Sequence, residues 1–170
     1  MPATPLESVH RVLIQVPPAR VLDAFFDGRD LGHWWQVVRS VTIPRPLGTY
    51  AVEWETTQFR DEVLGLLGGA FHGTVMEYRA GAELFVAEAF WQPPEGRPIG
   101  PMALEVKCRP QGGGRQTELT VRQSGENDGP RWERYFQIVS AGWDRALGEL
   151  KDHLEREAMR LKRWAETGHG

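Results

Sequence analysis

The chain has 170 residues, a net charge of −3 and a pI of about 6.0. That balance argues against a general binder of nucleic-acid phosphate, which presents a basic face. Its lone cysteine, Cys108, excludes an internal disulfide or a cysteine-cluster metal site, and no apolar run approaches the roughly 20 residues of a spanning helix. With no secretory leader pattern at the start, these features suit a reducing cytoplasm.

Met1 to Ser8 is polar and broken by proline. Val9 to Val16 reads as a strand, closed by Pro17-Pro18, and proline suits the first turn of a helix. Ala19 to Asp27 then follows as a short helix with Val21, Leu22, Phe25 and Phe26 on its apolar face. Gly28 breaks it, and a second short turn leads to His33-Trp34-Trp35. Gln36 to Ile43 is the second expected strand. Thr49 to Thr56 alternates cleanly, with Tyr50, Val52 and Trp54 on one face and Ala51, Glu53 and Glu55 on a solvated one. Gln58 to Gly69 is ambiguous between strand, flap and short helix.

Phe71 to Tyr78 and Leu84 to Trp91 form a hairpin about Arg79 to Ala82. Met102 to Cys108 and Thr117 to Gln123 form another across a glycine-rich tip, and Cys108 reads as a buried, inert thiol. From Pro130 a helix runs to about Ala165. Trp132, Tyr135, Phe136, Val139, Trp143, Leu147, Leu150 and Leu154 recur on it at steps of three and four and share a face. Strands grouped together with helices at both ends indicate an α+β fold. Its economical form is a curved antiparallel sheet of about six to seven strands gripping the last helix, as one domain over 1–170. The core would be 8–155, and 156–170 a helical extension.

The same order carries a family resemblance. Val16-Pro17-Pro18-Ala19-Arg20-Val21-Leu22-Asp23-Ala24-Phe25 stands at the first helix and Leu31-Gly32-His33-Trp34-Trp35 after it. Gly48-Thr49-Tyr50 opens a strand, Gly73-Thr74-Val75-Met76-Glu77 lies in the next hairpin, and Thr117 to Gly125 precedes the helix that holds Ala141-Gly142-Trp143. In these pieces the chain resembles the START-like, or SRPBCC, superfamily of helix-grip proteins. Within it the chain is most similar to the family of activator of heat-shock protein 90 ATPase homologues. The resemblance implies a cavity between sheet and helix of the kind that holds lipids, hormones, polyketides or other apolar molecules, with catalysis in some members. The Gln58–Gly69 segment and the helix end are longer than that pattern.

The candidate cavity walls are therefore Trp35, Tyr50, Val52, Trp54, Phe71, Phe90 and Met102 from the sheet side. Trp132, Tyr135, Phe136, Val139 and Trp143 would close it from the helix side. For any one of these the simpler reading is core packing. Adjacent Trp34 and Trp35 would point to opposite faces of a strand entry, with one of them plugging helix against sheet.

Glu88 shares a strand face with Leu84, Val86 and Phe90. Facing inward it is a carboxylate anchor or acid/base; the preferred alternative puts it in solvent or against Arg122. His10, His33, His72, His153 and His169 form no ligand-spaced motif, so no metal or cofactor is expected and no catalytic residue is assigned. The expected partner is a small apolar molecule, not nucleic acid, with no membrane insertion. An enzyme using Glu88, Tyr135 or His72, and a chaperone-contacting protein as the family name suggests, are the competing functions. Leu147, Leu154 and Leu161 are spaced by seven, so the helix end is either a solvated tail or a homodimer contact, a sheet edge being the other candidate for such a contact.

Overall fold

In the computed structural model, which describes residues 5–168, a seven-stranded antiparallel sheet runs in the order β1-β9-β8-β7-β6-β3-β2. The strands are β1 (Pro5–Ile14), β2 (Arg39–Thr42), β3 (Thr49–Trp54), β6 (Gly69–Arg79), β7 (Glu83–Gln92), β8 (Ile99–Gln111) and β9 (Gln116–Glu126). A separate two-residue pair, β4 (Arg60–Asp61) and β5 (Gly65–Leu66), forms a flap between β3 and β6. Helices α1 (Pro18–Asp23) and α2 (Gly28–Trp34) follow β1, and α3 (Pro130–Glu166) lies on the sheet's inner face. This is the helix-grip arrangement. His169 lies outside the described residues.

Local chemistry sets the element ends. β1 begins four residues before the expected start and pairs with β9 from Pro5↔Glu126 to Ile14↔Thr117. It is an edge strand and its first residue is proline, a position where the missing N–H costs nothing. The expected helix Ala19–Asp27 is shorter, because Asp27 caps the next one: its carboxylate accepts from the amides of Arg29 at 2.9 Å and Asp30 at 3.1 Å. Pro130 opens α3, which runs 37 residues, about 55 Å at 1.5 Å per residue.

The core has a solid end and a hollow one. At the solid end Leu147, Leu150 and Leu154 of α3 are buried with Val21, Leu22 and Leu31 of the short helices and with Ile14 of β1. A polar cluster straps that end. Arg20 forks onto Asp30 at 2.7 and 2.8 Å and onto Glu157 at 2.8 and 3.2 Å, and His153 adds 2.8 Å to the same Asp30 carboxylate. Burial alone would push the Asp30 carboxyl up. The Arg20 and His153 hydrogen bonds outweigh it and hold the group below its ordinary range.

The strand alternation expected for β7 fails at one residue. Glu88 sits in the left-handed region at φ 50°, inside a shift in the β7–β8 pairing between Val86 and Ala89. The bulge consumes one residue, so Leu84, Val86, Ala89 and Trp91 point inward, while Glu88 is exposed. Arg122, weighed as its partner, pairs with Glu7 at 2.7 Å instead. Among the described residues no helix is long and apolar enough to cross a membrane.

Candidate functional site: an indole-walled cavity

Between the first half of α3 and the sheet lies an open-mouthed cavity of about 820 Å³. Its walls include Trp35, Trp54, Phe71, Tyr135, Val139 and Trp143, six of the positions picked from sequence. The other seven lie elsewhere. Tyr50 is buried beneath the turn between α1 and α2, its hydroxyl donating to the Phe25 carbonyl at 2.8 Å, and Val52 shares that side of β3 in the core. Met102 sits behind the wall, its Sδ accepting from Gln123 Nε2 at 3.0 Å. Trp132 packs over Gly125, where a Cβ would come within 2.8 Å of its ring. Phe136 is buried edge-on to Tyr135. Phe90 stacks on the exposed His72, away from the cavity, and Glu88 is exposed beside it on β7.

Four indoles of the wall are each tied by their N–H. Trp34 donates to the Ala24 carbonyl at 2.9 Å, Trp54 to the Trp35 carbonyl at 2.8 Å, Trp91 to the Gly68 carbonyl at 2.8 Å and Trp143 to Gln123 Oε1 at 2.8 Å. Trp34 and Trp35 both face inward and stack, with centroids 5.0 Å apart and planes 6° apart. The strand rule that put them on opposite faces does not apply: Trp34 ends α2 and Trp35 is its C-cap. Trp35 also meets Trp54 edge-on at 5.2 Å and Trp143 at 4.8 Å, so sheet-side and helix-side rings touch at one edge of the cavity and part beyond it.

The ambiguous segment 58–69 forms one side of this space. Leu64, Leu67 and Gly68 line it. The flap is pinned by Asp61, whose Oδ2 accepts from the amides of Val63 and Leu64 at 3.0 Å each, while Oδ1 accepts from Arg134 Nε of α3 at 2.9 Å. The Arg134 guanidinium holds the Asp61 carboxyl below its ordinary range, and the two amides pull the same way against burial. Gly68, at φ 103°, lies so close to β3's exit that a Cβ would fall 2.2 Å from the Glu55 carbonyl oxygen. Only glycine fits both that conformation and that approach.

The mouth is polar: Gln36, Glu55, Thr57, Arg145 and Glu149 are exposed around it. Glu53, read from sequence as part of a solvated face, forms a solvent-exposed ion pair with Arg39 across β2 and β3 at 2.6 Å. The inner wall carries a neutral polar pair, Gln123 and Tyr135, both buried. Burial pushes the Tyr135 phenol well up from its ordinary value, so it stays protonated. Sequence reasoning left Trp91 and Gln123 off the wall and weighed Trp34 only as one of two rings, either of which would plug helix against sheet. Gln123 had a signal: it ends the inward series Thr117, Leu119, Val121 as a polar residue on a buried face.

A second constellation lies outside the cavity wall. His10 Nδ1 donates to Asp144 Oδ1 at 2.7 Å, and His10 Nε2 meets Ser8 Oγ at 2.5 Å. Hydroxyl, imidazole and carboxylate stand in the order of a nucleophile relay. Ser8, however, is buried beneath α3, and Asp144 is 75% exposed. The three act as a clasp between edge strand β1 and α3. Cys108 is buried on β8, which pushes its thiol up to about 12 and keeps it unreactive. Among the described residues, no three His, Cys, Asp or Glu side chains are grouped to hold a metal ion.

The profile of the family described as Activator of Hsp90 ATPase homolog 1-like protein matches residues 15–155. No curated protein matches the chain. Among solved structures, protein MLL2253 from Mesorhizobium loti is similar over 89% of this chain and 98% of its own, at 18% identity and a TM-score of 0.66. A putative uncharacterized protein from Rhizobium leguminosarum matches over 91% and 97% at 21% identity and a TM-score of 0.64. The Aha1 dimer from Colwellia psychrerythraea matches over 88% and 96% at 17% identity and a TM-score of 0.58. At these identities the likeness shows the shared fold.

Proposed function

Since the chain belongs to the Activator of Hsp90 ATPase homolog 1-like family, we propose that it is a binding protein that takes a small, largely apolar or aromatic molecule between its sheet and α3. The observation that carries this reading is the cavity of about 820 Å³ faced by hydrogen-bonded indoles. A pocket of that size, mostly apolar with a few placed polar groups, is the usual form of a small-molecule site. Aromatic plates offer a ring-bearing guest stacking and edge contacts beyond simple burial. Binding is favoured over catalysis because two of the three groups considered for chemistry, Glu88 and His72, are exposed away from the cavity. Only Tyr135 lies on its wall. The proposal treats 1–170 as one domain working in the cytoplasm, in keeping with a single buried cysteine.

Native mass spectrometry of protein purified from its own host tests the reading directly. A retained small molecule is expected, lost on mild organic extraction and accompanied by a fall in melting temperature through linkage. Trp54→Ala removes one wall plate and should weaken retention. Native protein that arrives empty, with tryptophan fluorescence and melting temperature unmoved by a panel of apolar aromatics, would falsify it.

A further inference from the structure

The hydrogens on the inner wall can be counted. Trp143 Nε1 meets one terminal atom of the Gln123 amide at 2.8 Å, and the other terminal atom meets the Tyr135 hydroxyl at 3.1 Å. An indole N–H can only donate, so the atom facing it is the amide oxygen. The amide orientation is thereby fixed, and the NH2 group faces Tyr135. An amide nitrogen can only donate, so the Tyr135 oxygen accepts. The second amide hydrogen goes to Met102 Sδ. Both Gln123 hydrogens are then used, and one donor is left over: the Tyr135 O–H proton, for which the described residues show no acceptor. Tyr135 is only 6% exposed, and it lines the cavity together with Gln123 and Trp143.

We infer that the Tyr135 hydroxyl is a specificity-determining donor that reads a neutral carbonyl oxygen on the aromatic or alicyclic molecule held in the cavity. This rests on the binding reading above and narrows it. A guest with an acceptor at that point completes the chain Trp143–Gln123–Tyr135–ligand. A pure hydrocarbon of the same shape strands a buried O–H, which loses affinity without adding any contact. The acceptor is neutral because the groups around Tyr135 on the inner wall, namely Gln123, Trp143, Trp91 and Phe71, carry no charge. The charged lining residues Glu55, Arg145 and Glu149 are exposed at the mouth. A carboxylate driven inward would exchange its water for a single donor, a poor exchange for a full charge. Ketones, quinones and esters on a ring skeleton are thus the class that fits.

The test uses two probes of one skeleton, 9-fluorenone and fluorene, which differ by C=O against CH2. Their affinities are read by fluorescence titration of the full chain and of Tyr135→Phe. The ratio of ketone to hydrocarbon affinity should fall about tenfold in the variant, the size of one buried hydrogen bond. Because the variant gives up one bond to Gln123, the wild-type protein supplies an independent reading. The infrared carbonyl stretch of bound 9-fluorenone should lie at lower wavenumber than in heptane, and the shift should vanish in Tyr135→Phe. If both probes bind but the ratio is unchanged and the carbonyl absorbs as an unbonded ketone, the inference is wrong while the binding reading stands. If neither probe binds, the two fall together.

Discussion

Helix α3 meets two different environments along one apolar stripe. From Tyr135 to Ala146 it borders the cavity; from Leu147 to Leu154 its leucines are buried with residues of β1 and the short helices. Both stretches are apolar, so hydrophobicity does not separate them. The difference lies in what stops a side chain from moving inward. Leucines at the solid end have no directional bond to lose and close up to interior density. At the hollow end Trp34, Trp54, Trp91 and Trp143 each spend an indole N–H on a fixed acceptor. Swinging such a ring into the void would leave a buried donor unpaired, at about 1–3 kcal/mol each. Directional bonds on apolar plates therefore hold the space open.

The sharpest way to break this contrast is a pair of truncations on the same helix. Leu150→Ala removes a fully buried side chain from the solid end and should cost about 3 kcal/mol in urea unfolding. Val139→Ala, half-buried and bordering open space, should cost under about 1 kcal/mol, since it deepens a void that already exists. Equal costs would show that the cavity half is as tightly packed as the rest.

The strap at the solid end gives the next largest effect. Asp30→Ala leaves Arg20 with Glu157 and some water, so the loss should be about 2 kcal/mol at pH 7, below that of a fully enclosed pair. The sign with pH follows from the lowered carboxyl. Stability gained by holding Asp30 ionised is fully present above the unfolded carboxylate value, near pH 4, and is lost as pH falls through the folded one. The gap between wild type and Asp30→Ala should therefore be widest at neutral pH and shrink below about pH 4. A gap independent of pH would mean that Asp30 contributes by packing alone.

The same contrast explains what the sequence disclosed. Periodicity was enough for the solid end: the i, i+3, i+4 leucines and the grouped strands define sheet, helix and grip, because close packing follows side-chain period. The hollow end depends on events that period does not encode. One extra residue at Glu88 turns Ala89 and Trp91 inward in place of Phe90. A helix end at Trp34 sends two neighbouring rings to one side. The flap at 58–69 is shaped by Asp61 reaching Arg134, 73 residues away, a pairing no local window contains. Tyr50 and Trp54 share a strand face, yet one lies beneath the turn between α1 and α2 and the other on the cavity, a distinction that alternation along one strand does not carry.

The flap sharpens the contrast further, because its turn is held to α3 through one carboxylate, that of Asp61. Asp61→Ala removes three acceptor contacts at once, two to backbone amides and one to Arg134. The Val63 amide is near the surface and can turn to water, while the Leu64 amide is buried and loses its partner, so the global loss should be about 1.5 kcal/mol. Locally the effect is larger. Amide exchange at Leu64 should accelerate well beyond that at Leu150, whose helix packs independently of the flap. Uniform acceleration across both would show that flap and core open as one unit.

The smallest effect should come from the far end of α3. Leu161 continues the seven-residue spacing of Leu147 and Leu154, yet it is 63% exposed where they are buried, and Met159 is half exposed. By this point the 55 Å rod has run beyond Leu154, the last buried residue of the stripe. The neighbouring Arg156, Arg160, Lys162 and Arg163 suit water and the negative end of the helix dipole. Leu161→Lys should therefore change stability by less than about 0.5 kcal/mol and leave the sedimentation coefficient untouched. A drop to a lighter species would reveal a second copy of the chain along this stripe. The helix would then have three environments, not two: hollow, solid and shared.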